Sequence, residues 1–73
     1  MVGFEKFARA FLRNPDGSWL CRYRAHFVGP YGPVSTTIGA SCRKGEPIEG
    51  YDVAGWLDDW HERKAVPIGV EFL

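Results

Sequence analysis

A chain of 73 residues holds one domain, residues 1–73, whose core only just offsets the entropy of ordering it, so support from a partner or from self-association suits its size. Phe, Trp and Tyr make up 15% of the chain, and each large ring buries roughly 150 to 250 Å², enough for a short chain to build a core on few side chains. A formal net charge of zero argues against a generic nucleic-acid binder or a membrane-surface peptide, although Met1 to Lys44 carries seven cations against two carboxylates and Gly45 to Leu73 two against seven.

Asn14-Pro15-Asp16-Gly17 is the strongest local signal. Pro15 presets φ for a type I turn, the Asn14 side chain can cap it, and Gly17 can take the left-handed conformation that closes a three-residue hairpin loop. Asn14 then faces Ser18, which sets Arg13 against Trp19, Phe11 against Cys21, Arg9 against Tyr23 and Phe7 against Ala25. Alternation places Phe7, Phe11, Trp19, Cys21, Tyr23, Ala25 and Phe27 on an inward, aromatic face. Leu12, Leu20, Arg22, Arg24, His26 and Val28 point outward.

Gly29-Pro30-Tyr31-Gly32-Pro33 reads as a rigid reversing loop. Val34 to Ile38, rich in β-branched residues, reads as a third strand, and a four-residue loop rather than a three-residue one turns Val34, Thr36 and Ile38 inward. Gly39 to Gly50 has no clean period and reads as a surface connection. Asp52 then N-caps a helix from about residue 53 to 63, Tyr51 and Trp56 form a hydrophobic staple, and Val53, Trp56, Leu57 and Trp60 make one apolar stripe. Gly55 either lets this helix approach the sheet or is simply tolerated, at about 1 kcal/mol relative to alanine. Val66, Ile68, Val70 and Phe72 alternate as a last strand, which Pro67 directs to an edge of the sheet or to a partner's sheet. The expected fold is α+β: an antiparallel β-meander packed on one α-helix, in the order β-β-β-α-β.

The run Phe11-Leu12-Arg13-Asn14-Pro15-Asp16-Gly17-Ser18-Trp19-Leu20-Cys21, with Gly50-Tyr51-Asp52-Val53-Ala54-Gly55-Trp56-Leu57-Asp58 after it, resembles a group of short, uncharacterised bacterial proteins with an F-x-R-N-P-D-G-S-W-x-C hairpin. The likeness covers roughly residues 11–60. It implies a bacterial origin and a compact single domain, and it transfers no site.

No apolar run is long enough to span a bilayer, and the N-terminus lacks the features of a signal peptide, so a cytoplasmic location is expected. Cys21 and Cys42 are expected there as reduced thiols, with a single Cys21–Cys42 disulfide as the alternative. Cys21, His26, Cys42 and His61 are zinc-ligand types without the short paired spacing that sets two ligands on one turn, so no metal and no cofactor are expected. Asp58, Asp59, His61 and Glu62 diverge on a helix face instead of converging as an acid and a base. Cys42 beside Arg43 and Lys44 could have a depressed pKa, though an ordinary loop cysteine is the expected state. With no nucleophile elbow, phosphate loop or dinucleotide fingerprint, the chain is not expected to be an enzyme or to take a small-molecule ligand.

The residues singled out for binding are Arg22, Arg24 and His26 on the outward strand face, with Trp19 and Tyr31 as exposed aromatic contacts. The expected function is a non-enzymatic protein-interaction module, with a protein partner or a homodimer that covers open sheet edges or matches the basic part to the acidic part. The alternative is a weak nucleic-acid binder using the same basic row, marked by a steep loss of affinity with salt.

Overall fold

Asn14 to Ser18 form the turn that their residues dictate in the computed structural model, which describes residues 3–72. The Asn14 amide donates to the Ser18 carbonyl at 2.8 Å, the Gly17 amide donates to the Asn14 carbonyl at 2.9 Å, and Gly17 has φ +90°. Asp16 locks the turn by accepting from the Ser18 amide at 2.9 Å and the Ser18 hydroxyl at 2.7 Å, while Arg43 donates to its other oxygen at 2.6 Å. These donors, the Ser18 hydroxyl foremost, hold the Asp16 carboxyl at about 2. A depressed folded-state pKa contributes stability above the carboxyl's ordinary value of 3.8, and that contribution is lost as pH falls through about 2. Asp16→Asn should therefore lower the urea midpoint at pH 7 and lower it far less near pH 2, a comparison that urea titrations at the two pH values make directly.

The turn joins β1 (Phe11–Arg13) to β2 (Trp19–Cys21) in the expected register, Phe11 opposite Cys21 and Arg13 opposite Trp19. Beyond it the predicted long hairpin stops. The Arg22 and Tyr23 amides both donate to the Ala10 carbonyl, at 2.7 and 3.3 Å. Two residues against one is the arrangement of a β-bulge, which breaks the alternation and ends the ladder. Arg9 therefore does not pair with Tyr23, and Tyr23, expected inward, is 62% exposed. On the other side the chain is helical: α1 (Gly3–Ala8) takes the place of the predicted strand through Phe7 and buries Phe4 and Phe7. Phe4, Phe7, Ala8 and Phe11 recur at helical spacing, and that period wins over the alternation of Phe7, Arg9 and Phe11.

After the bulge β3 (His26–Gly29) and β4 (Gly32–Ser35) form a second hairpin, with Phe27 opposite Val34 and Val28 opposite Pro33. A four-residue loop after Val28 gives this same pairing, which the structure carries one step further to Gly29 and Gly32. Val34 and Thr36 are buried as expected, whereas Ile38 lies in a turn and is 59% exposed. The connection expected over residues 39–50 contains a strand, β5 (Ser41–Cys42), which pairs with β2 and places Cys42 opposite Trp19.

α2 (Val53–Arg63) has the expected bounds. The Asp52 side chain accepts from the Gly55 amide at 3.2 Å, and the staple rings of Tyr51 and Trp56 stand 5.8 Å apart. Gly55 serves this cap and not an approach to the sheet: a Cβ there would press on the Asp52 carboxylate, with Cγ at 2.9 Å. Gly55→Ala alone should be close to neutral, because about 1 kcal/mol of helix propensity is offset by a disturbed cap of similar value. In an Asp52→Ala background the same change should stabilise by about 1 kcal/mol, which a four-member denaturation cycle measures.

The last strand is shorter than the alternation suggests. β6 (Glu71–Phe72) joins the edge of β3, with Phe27 opposite Phe72, while Pro67 and Gly69 (φ +82°) keep the preceding residues out of the ladder. The chain is thus α+β, an antiparallel β-meander packed on α2. The strands divide into two three-stranded sheets, β1-β2-β5 and β4-β3-β6, with α1 added before them. Thr36 stitches the sheets together, its buried hydroxyl accepting from the Ala25 amide at 2.9 Å with Cys21 Sγ 3.2 Å away. Phe27, Leu57 and Val53 are fully enclosed, and the Phe27 ring lies 5.1 to 6.0 Å from those of Phe7, Tyr51, Trp56 and Phe72. No helix among the described residues is long and apolar enough to cross a membrane.

Candidate functional site

Arg22, Arg24 and His26 are exposed, as the outward row requires, but they do not lie on one strand. The chain leaves the first sheet after Cys21 and enters the second at His26, and the intervening segment lies against α1. Between them is a cleft of about 350 Å³, where Lys6 and Arg9 from the α1 end face Tyr23, Arg24 and His26. Arg22 is held at its edge, donating to the Arg9 carbonyl at 3.0 Å with its guanidinium 5.4 Å from the Tyr23 ring centre. His26 Nδ1 lies 2.8 Å from the Ser35 hydroxyl.

The two aromatic contacts expected beside this row are elsewhere. Trp19 is buried, 7% exposed, and its indole N–H donates to Asp58 Oδ1 at 2.9 Å, so it ties β2 to α2 and is not an exposed contact. Its place on the inward face of the hairpin decides this, because the alternation that buries Phe11 and Cys21 buries Trp19 with them. Tyr31 is 77% exposed, but it sits at the β3–β4 turn, the far end of β3 from His26, with its ring 5.3 Å from that of Tyr51. The exposed aromatic beside the row is Tyr23, and Lys6 and Arg9 line the same cleft. The helical spacing of Phe4, Phe7 and Ala8 is the signal that could have found them, since it sets Lys6 and Arg9 off the apolar stripe.

Among the described residues no ion pair joins the basic part of the sequence to the acidic part. The ion pairs among the described residues are Arg9–Glu5 at 2.8 Å, Arg43–Asp16 at 2.6 Å and Arg63–Asp59 at 2.9 Å, and each lies within one charge half of the sequence. All are exposed, where such pairs contribute about 0 to 1 kcal/mol. Lys6, Arg22 and Arg24 have no carboxylate partner among the described residues.

Asp58 and His61 do not build an acid and base pair. Asp58 accepts from Trp19, and the His61 ring stands edge-on to Trp19 at 6.1 Å. Cys21 and Cys42 are free and buried. Cys42 is not an activated thiol: burial foremost, then the charges of Cys21, Asp52, Asp58 and Glu46, pushes it up to about 11 despite the neighbouring Arg43 and Lys44. Since the thiolate is the nucleophile, Cys42 should react with iodoacetamide at pH 8 at least about 100-fold more slowly in native than in urea-unfolded protein. Mass mapping of the labelled peptides follows each cysteine separately.

A second concavity is apolar. It measures about 930 Å³ and runs between the start of α1, the end of α2 and the β3–β6 edge, lined by Phe4, Val28, Trp60, Val66, Val70 and Phe72. Glu5 and Glu71 supply charge at its walls. Val66 is 53% exposed, and Ile68, two residues further along the chain, is 96% exposed. The alternation of residues 66–72 hid this groove by reading Val66, Ile68, Val70 and Phe72 as one face of a strand. Comparison with known protein families, curated proteins and solved structures finds no match for the chain.

Proposed function

We propose that the protein is a non-enzymatic interaction module that receives an apolar anchor of a protein partner in the groove between α1, α2 and β6. The observation that carries this reading is the groove itself: an aromatic and aliphatic trough of about 930 Å³ flanked by an isoleucine that is 96% exposed. Exposed apolar surface beside a concavity is what interface cores are made of, and a partner side chain seated there would remove it from water. Glu5 and Glu71 favour an anchor flanked by lysine or arginine. Few polar groups converge in the trough, which suits an aliphatic or aromatic side chain better than a polar metabolite.

Selection from a displayed library of random peptides tests the reading without knowledge of the natural partner. Enriched peptides should carry a large apolar residue beside a cation and lose binding to Val70→Asp and Ile68→Asp variants. Ile68→Asp should leave the melting temperature unchanged, since its side chain is in solvent. Failure to enrich any peptide, or binders indifferent to both substitutions, would remove the groove as the site. Light scattering at low and high salt identifies the case in which the partner is a second copy.

A further inference from the structure

The basic cleft shares no lining residue with the apolar groove and has a different chemistry. Lys6 and Arg9 stand on one wall and Arg24 and His26 on the other. The one carboxylate paired at the cleft is Glu5, on Arg9 at 2.8 Å, among the described residues. Three cations within one concavity, two of them if Arg9 stays with Glu5, repel one another unless an anion lies between them. The aromatic member is Tyr23, which the bulge at Arg22 and Tyr23 turns out of the sheet and leaves 62% exposed. Arg22 is already in place beside its ring, 5.4 Å from the centroid and anchored on the Arg9 carbonyl at 3.0 Å.

We propose that this cleft binds single-stranded nucleic acid, one base stacking at Tyr23 and Arg22 while Lys6, Arg9 and Arg24 contact the flanking phosphates. Stacking on an aromatic face beside a tracked backbone is how single strands are held without sequence preference. A duplex keeps its bases stacked on one another and offers none to Tyr23. The volume of about 350 Å³ admits one or two nucleotides, so binding is weak and dominated by charge. Contact with about three phosphates gives an affinity that falls with salt at a log–log slope of about −2, a loss of roughly 15- to 20-fold between 50 and 200 mM.

The test is fluorescence anisotropy of a labelled eight-residue oligothymidine with the full chain at 50 and 200 mM salt. Expected are saturable binding at the lower salt, the stated loss at the higher, and a further loss of about 5- to 150-fold with Tyr23→Ala, the range for removing one stacked base. Arg24→Glu should also weaken binding, while Tyr23→Phe retains it. Both positions of change lie at exposed residues, and unchanged melting temperatures confirm the fold. Absence of binding at 50 mM salt overturns the proposal. So does binding of a short duplex or of heparin equal to that of the single strand, or an affinity that Tyr23→Ala does not alter, each of which reveals a general polyanion surface.

Discussion

Phe27→Ala is expected to leave the domain barely folded at room temperature. Phe27 is completely buried, and its ring meets those of Phe7, Tyr51, Trp56 and Phe72, so α1, α2 and both neighbouring strands lean on it. Removing a buried phenylalanine costs about 3 to 5 kcal/mol, made up of lost transfer energy and the cavity left behind. A domain of this size has only about 4 to 11 kcal/mol in total, at 0.05 to 0.15 kcal/mol per residue. The melting temperature should therefore fall by at least about 15 °C in a circular dichroism scan. Tyr23→Ala is the contrasting variant, because simple alternation puts both residues on the same face. With Tyr23 62% exposed, its removal should change stability by no more than about 0.5 kcal/mol. Equal losses from the two would mean that the alternation continues past Cys21 and that the bulge does not form.

Gly29→Ala should be the second costly change, although alanine adds a single methyl group. Gly29 lies in β3 at an ordinary backbone angle, so the need for glycine is spatial and not conformational. A Cβ there would meet the Tyr51 ring, with Cε1 and Cζ at 2.6 Å and the hydroxyl closer still. Tyr51 has little room to yield. It is buried, its hydroxyl accepts from the Tyr31 amide at 2.8 Å, and its ring packs 5.1 Å from Phe27 and 5.8 Å from Trp56. Overpacking of this kind costs about 1 to 3 kcal/mol. Combining Gly29→Ala with Tyr51→Ala should cost at least about 1 kcal/mol less than the two changes taken separately, as expected for residues in direct contact. Strict additivity in urea denaturation would show that the two do not touch. Gly32, three residues on, has the opposite reason for being glycine: φ is +108° and nothing crowds its missing side chain.

Where local chemistry is decisive, the sequence is legible. Asn14 to Gly17 specify their turn, and the turn specifies the register of Phe11 to Cys21. Asp52, Tyr51 and the stripe from Val53 to Trp60 specify α2 to the residue. Legibility fails where two periods compete within a few residues. Phe7, Arg9 and Phe11 alternate as in a strand, yet Phe4, Phe7, Ala8 and Phe11 are spaced as on a helical face, and packing of Phe7 against Phe4, Phe27 and Phe72, with ring centres 4.9 to 5.7 Å away, favours the helix over Gly3–Ala8. The bulge at Arg22 and Tyr23 has no sequence mark, since neither residue is a glycine and the break comes from two amides sharing the Ala10 carbonyl. That one unpredictable turn of the backbone buries no residue but relocates the candidate site. It separates Arg22 and Arg24 from the strand, exposes Tyr23, and brings them to Lys6 and Arg9. The two-residue strand at Ser41 and Cys42 was equally hidden, because its partner, β2, lies far away in sequence and nothing local requires it.

The short pairing of β6 with β3 has a kinetic consequence. Phe72 seals a cluster whose first member is Phe4, with ring centres 5.0 Å apart, so the contact joins nearly opposite ends of the described chain. Loop-closure entropy makes such a contact late to form, and a two-residue strand has few amides to hold it once formed. Folding should thus proceed through the two local hairpins and α2, with the terminal strand docking last and detaching first. Amides of β6 would then exchange with solvent well before those of β3, at an opening energy below that of global unfolding. Since Val70 and Phe72 also line the apolar groove, each detachment dismantles a wall of it, and any guest seated there would slow the exchange of those same amides.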